Sequence, residues 1–250
     1  DTRSHSIITG HLGRITALAA GDFLGNGGLQ LLVASDNAGA VSLYEFYQEQ
    51  WHRNKDPHFL WNYAAQLIPL QLWEGDSQQI AVINSSEELQ IYSVTEDGWI
   101  PLWVSAFQET VKTAVAADIT GNGFDELIYA RPSGYAAVIG WNDSEITKLA
   151  ELYPWGSVKA LAAVDAAQGR PGSITIITGN HGIYSWKWEQ MEIQLAEEFE
   201  TAALNSWVGW DANRGFWTSD GDDLRFFGIE RGQVVLHSHG ITVGAQAVIS

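Results

Sequence analysis

The chain has 250 residues, with 13 Lys+Arg against 30 Asp+Glu and a formal net charge of −17. A polyanion of that size repels phosphate backbones and anionic lipid, so a nucleic-acid partner is not expected, and with no run of 18 apolar residues neither is membrane insertion. Cysteine is absent, which removes disulfides, thiolate metal sites and a thiol nucleophile, while 46% hydrophobic with 17% charged residues is a folding composition.

From the N-terminus onward, short β-rich runs alternate with clusters of Gly, Asn, Asp and Ser, and no segment sustains a helical period. One small-residue string returns along the chain: ITALAAGDF (15–23), IPLQLWEGD (68–76), TAVAADI (113–119), ALAAVDA (160–166) and SWVGWDA (206–212). Asp22, Asp118, Asp165 and Asp211 align within it at separations of 96, 47 and 46, so the period is about 47 residues and the first gap holds two units. A Gly/Asn turn follows each string. Next comes a second run expected to be buried: LQLLVAS, QIAVINS, ELIYARP, SITIITG and GFWTS. Another tight turn leads to an aromatic run (AVSLYEF, LQIYSV, YAAVIGW, GIYSWKW, DLRFFGI). A more polar run closes each unit: FLWNYAA, WIPLWVS, ITKLAEL, MEIQLAEE and QVVLHSH.

Four strands in about 45–50 residues is the repeat of a β-propeller blade. Inner strands converge on an axis and need small side chains, whereas third strands between neighbouring blades accept Tyr, Phe and Trp. The expected fold is therefore all-β, a single β-propeller domain over 1–250 with five blades at about 15–66, 67–110, 111–156, 157–202 and 203–240. Residues 241–250 read as a further inner strand and 5–13 as an outer strand. Either the termini (1–14 and 241–250) close the ring together or the chain is part of a longer propeller.

The segment DITGNGFDELIYA (118–130) resembles the FG-GAP/VCBS repeat, the propeller blade of integrin α-subunits and many bacterial surface and secreted proteins; DFLGNGGLQLLVA (22–34) is a second, partial copy. The resemblance implies an extracellular or bacterial cell-surface setting. It also implies calcium in the third-blade loop, held by Asp118, Thr120, Asn122, the carbonyl of Phe124 and Glu126, in keeping with the ion's demand for several oxygen ligands. The first-blade loop offers Asp22, Leu24, Asn26 and Gln30, of which leucine cannot ligate. The other reading is that Asn and Gly supply positive φ in a tight turn whose Asp bonds the turn amides.

Propeller topology puts the turns between second and third strands on the same end as the blade-to-blade connections. That end gathers Asp36, Arg131, Trp155, His181 and His239, which would suit a polar ligand such as a sugar stacked on Trp155. Solvated turn residues are the plainer account of the same set. His237 and His239 share one side of a strand but have no third metal ligand nearby. The stretch 47–58 is locally basic and carries Trp51, as a contact element or tucked over the blade. Trp61, Trp103, Trp141, Trp186, Trp188, Trp207 and Trp210 read as core or blade-interface residues. No nucleophile elbow, zinc-protease helix or phosphate loop occurs. The expected function is a non-catalytic binding or adhesion scaffold for a glycan or protein partner. The alternative is an enzyme with a glycan hydrolase or lyase pocket at the axis, signalled by acidic or His side chains meeting there with raised pKa.

Overall fold

In a computed structural model, side chains are described for residues 13–54, 57–105, 110–142, 144–154, 156–167, 170–179 and 182–188; beyond these only the backbone of the strands is described. The first sheet holds β1 (Ile15–Gly21), β2 (Gln30–Ser35), β3 (Ala40–Tyr47), β4 (Gln50–Arg53) and β5 (His58–Phe59). The second holds β6 (Ala64–Leu70), β7 (Gln79–Asn84), β8 (Leu89–Thr95) and β9 (Gly98–Val104). The third is β10 (Thr113–Ala117), β11 (Glu126–Arg131), β12 (Tyr135–Asn142) and β13 (Glu145–Leu152). The fourth is β14 (Val158–Val164), β15 (Ser173–Thr178), β16 (Gly182–Glu189) and β17 (Glu192–Glu200). The fifth is β18 (Val208–Asp211), β19 (Gly215–Asp220), β20 (Asp223–Glu230) and β21 (Gln233–Thr242). Within each sheet the strands pair antiparallel in chain order, except that β5 returns to pair with β3, and the first strands stand side by side, β1 on β6, β6 on β10 and β10 on β14. No helix occurs among the described residues.

The second strands are apolar throughout because both of their faces are covered. On β7, Ile80 and Val82 face the first sheet while Ala81 and Ile83 face the third. On β11, Leu127 and Tyr129 pack towards the second sheet, and Ile128 and Ala130 towards the fourth. Period-two alternation thus divides one strand between two cores, and each interior Ile or Leu contributes roughly 1.5–3 kcal/mol by burial. The tryptophans follow: Trp103 and Trp141 pack between the second and third sheets, Trp186 and Trp188 between the third and fourth. Trp73 meets Trp141 with ring centroids 4.7 Å apart.

Three expectations change. FLWNYAA is not an outer strand: the outer strand of the first sheet is split into β4 and β5, both on β3, and Ala64 already opens the second sheet. Its apolar character serves the sheet-to-sheet connection, with Leu60 and Ala64 in the core. The stretch 47–58 therefore contains β4 and the start of β5 rather than one long loop. Gln48 and Glu49 take positive φ (50° and 62°) in a two-residue hairpin, and Trp51 packs on Phe46 at 5.2 Å. Ile241 and Thr242 pair with Leu224 and Asp223 as the end of β21, so a further inner strand does not begin at Ile241. Residues 1–12 and 243–250 lie outside the described residues.

Candidate functional site

Each sheet presents two ends: rim loops joining first to second strands, and opposite them the turns between second and third strands with the sheet-to-sheet connections. The rim loops show one wiring in the first and third sheets and a part of it in the second. In the first sheet Asp22 Oδ1 accepts from the Asn26 amide (3.1 Å) and Oδ2 from that of Gly27 (2.7 Å), while Gln30 Oε1 accepts from the amides of Phe23 (2.6 Å) and Leu24 (3.1 Å). In the third sheet Asp118 Oδ1 accepts from Gly121 (2.7 Å) and Asn122 (3.1 Å), and Oδ2 from Gly123 (2.9 Å). Glu126 Oε2 accepts from the amides of Ile119 (3.0 Å) and Thr120 (3.2 Å), and Oε1 from the Thr120 hydroxyl (3.0 Å). In the second sheet Gln79 Oε1 accepts from the Leu72 amide (2.8 Å). Gly25, Gly27, Gly121 and Gly123 all sit at φ between +67° and +88°, the left-handed conformation these tight turns require.

The side chain after the aligned Asp or Gln plugs each loop from inside: Phe23, Leu72 and Ile119 are fully buried. Glu126 is only 2% exposed. Burial pushes its carboxyl up to about 7 against the hydrogen bonds from Thr120, and the nearby Asp118 charge adds to the rise. Asp125 is also raised, by burial first, with the Gln71 amide opposing and Asp165 and Asp118 adding.

The resemblance implies calcium at this loop, and the donor set does not fit it as arranged. Both oxygens of Asp118, both of Glu126 and the Asn122 carbonyl oxygen, which accepts from the Phe124 amide at 2.7 Å, are turned onto donors of the loop itself. Among the described residues no three His, Asp or Glu side chains are gathered to hold a metal.

The other end carries the expected ligand set. Asp36 accepts from the backbone (3.0 Å) and Nε (3.1 Å) of Arg14. The Arg131 guanidinium lies 4.3 Å from the centre of the Tyr135 ring. Tyr135 meets Tyr153 edge-on at 5.6 Å, and both hydroxyls donate to Glu151, as does Lys148. Those donors, Lys148 first, hold Glu151 down at about 2. Asp36 and Arg131 are thus engaged with different sheets. Trp155 and His181 fall outside the described residues, and His239 lies on β21, of which only the backbone is described.

The residue that sequence reasoning misplaced is Trp61. It is not core but 95% exposed, on the connection from β5 to β6, with Phe59 60% exposed two residues before it. Gly39 explains the placement: a Cβ there would meet the carbonyl oxygens of Leu60 (2.6 Å) and Asn62 (3.1 Å), so the connection lies flat on the β2–β3 turn and the intervening side chain has no room beneath. Gly134 receives the carbonyls of Gly156 (2.5 Å) and Pro154 (2.9 Å) in the same way. FLWN (59–62) and YPWG (153–156) are therefore corresponding connections, and Tyr153, in the place of Phe59, is 68% exposed. The shared aromatic-X-Trp spacing was the available signal.

Consecutive four-stranded meanders set side by side by their first strands define a β-propeller. No family model matches the chain, and no curated protein matches it. Among solved structures it is similar to Sqt1 of Saccharomyces cerevisiae, a WD40 β-propeller protein, with a TM-score of 0.60 at 9% sequence identity. The match covers 96% of this chain and 66% of Sqt1, so the chain spans just under two thirds of that protein.

Proposed function

We propose that the chain is a non-catalytic binding scaffold whose partner docks on the end formed by the β2–β3-type turns and the sheet-to-sheet connections. Trp61 carries this reading: an indole 95% exposed on a connection pinned to the turn below it is an anchor held ready rather than a core residue. Covering a ring of that size is worth roughly 1.5–3 kcal/mol, and aromatic anchors dominate protein interfaces. A net charge of −17 favours a basic protein partner through electrostatic steering. A glycan is the second reading, favoured by the Asn62 amide that donates to the Ser86 hydroxyl (2.8 Å) beside Trp61, a polar pair next to a stacking surface. Kinship with FG-GAP/VCBS blades, closure as a five-bladed ring and an extracellular setting belong to the same proposal. They are supported by the loop of residues 118–126 and the regular repeat.

The enzymatic alternative asks for raised carboxyls open to a substrate. Glu126, the carboxyl raised to about 7 among the described residues, is buried and spent on its own loop, which supports binding over catalysis. Parallel glycan and basic-peptide arrays, probed with wild type and Trp61→Ala, test the proposal. Binding on either array that the variant loses by tenfold or more, with its melting midpoint unchanged, is the expected result. Equal binding by both proteins, or none by the wild type, overturns it.

A further inference from the structure

We infer that the rim loops are metal-free clasps that lock each sheet to the next, with the residue opening the second strand (Gln30, Gln79, Glu126) serving as an internal cap rather than a cation ligand. Two observations converge on this.

The first is the exchange of bonds across the junctions. Asp22 donates its amide to Gln78 Oε1 (3.1 Å), and the Gln78 amide donates back to the Asp22 carbonyl (2.8 Å). The next junction repeats the pattern: the Gln71 amide donates to Asp125 Oδ2 (2.7 Å), and the Asp125 amide donates to the Gln71 carbonyl (2.7 Å). Gln78 and Asp125 each immediately precede the cap residue, so cap and clasp are adjacent positions of one loop. At the third junction that place is Gly172, where a Cβ would run into the Ile119 backbone. The exchange moves there to the blade-four loop, with the Asp118 amide donating to Asp165 Oδ1 (3.0 Å) and the Ala166 amide to the Asp118 carbonyl (2.6 Å).

The second is the chemistry of the cap. A glutamine oxygen performs it in two sheets and a glutamate oxygen in the third: towards the amides one and two residues beyond the aligned Asp in the first and third sheets, and towards the amide one residue beyond Gln71 in the second. A task done alike by a neutral amide and a carboxylate is hydrogen-bond acceptance. Cation binding would discriminate strongly between the two. The first-sheet loop also keeps this wiring where Leu24, whose side chain offers a metal nothing, stands in the place of Thr120.

The test is thermal unfolding of the full chain at pH 8 in EDTA and in millimolar calcium, with wild type, Glu126→Gln and Asp125→Ala, together with calorimetric titration of calcium into the wild type. The expected results are no saturable calcium heat, a wild-type midpoint indifferent to calcium, Glu126→Gln at or above wild type, and Asp125→Ala several degrees lower. A calcium-dependent rise in midpoint that Glu126→Gln abolishes, or a saturable heat, overturns the inference, since an ion bound only by the folded chain must stabilise it. Failure of Glu126→Gln to fold also counts against it, because an amide is the cap in the neighbouring sheets.

Discussion

The first and third sheets are built on the same plan and depart from it at two places. Both plug the rim loop with a buried side chain, cap it from the residue opening the second strand, and seat an aromatic connection on a positive-φ glycine. They differ in the charge of the cap and in the outer strand, which is continuous as β13 but split into β4 and β5 in the first sheet. What the repeat preserves is backbone hydrogen bonding at its two ends. Whatever satisfies those bonds is free to vary, even between an amide and a buried acid.

The largest test of the shared part is to remove the plugs. Phe23→Ala and Ile119→Ala should each cost about 3–4 kcal/mol in denaturant unfolding, the toll of a fully buried large side chain. A loss below about 1 kcal/mol in either would show that the two loops are not equivalent. Next comes the difference in cap charge. With its folded value raised from 4.5 to about 7, Glu126 favours the protonated state, so its contribution is complete below pH 4.5, declines as pH rises and is gone above about 7. The wild type should lose about 3 kcal/mol across that window relative to Glu126→Gln, and Gln30→Glu should install a similar slope in the first sheet. Comparing variants separates this from His58, whose burial against Trp99 lowers its value and acts with the opposite sign, adding stability as pH rises. The smallest effect is at the exposed Arg14–Asp36 pair, where Asp36→Ala should cost under about 1 kcal/mol and less at high salt.

Second and third strands were readable because both of their faces are packed: QIAVIN and LQIYSV are apolar or aromatic wherever a neighbouring sheet covers them. The Asp-led loops were readable for the same reason that they fold, since Asp followed by Asn and Gly is turn chemistry. The outer strands were not. The segment β4 is QWHR, polar because it is the last strand of its sheet among the described residues, while the more apolar FLWNYAA drew the assignment away from it. Trp61 was misread because an indole's large apolar area argues for burial until the backbone beneath it is known. Gln30 and Gln79 gave no sign of their role, since an amide facing main-chain donors has the same sequence signature as a solvated one. In the structure, the second sheet's Pro69 lies on its first strand and Pro101 on its last, the edge positions where a missing N–H breaks no ladder.

Among the described residues the reciprocal bonds at the junctions join each sheet to its sequence neighbours. Energetically that makes the described part a row of coupled units, in which the free energy is a sum of per-sheet and per-junction contributions. Such a row loses order from whichever boundary is weakest, and a defect at one boundary need not travel past the next.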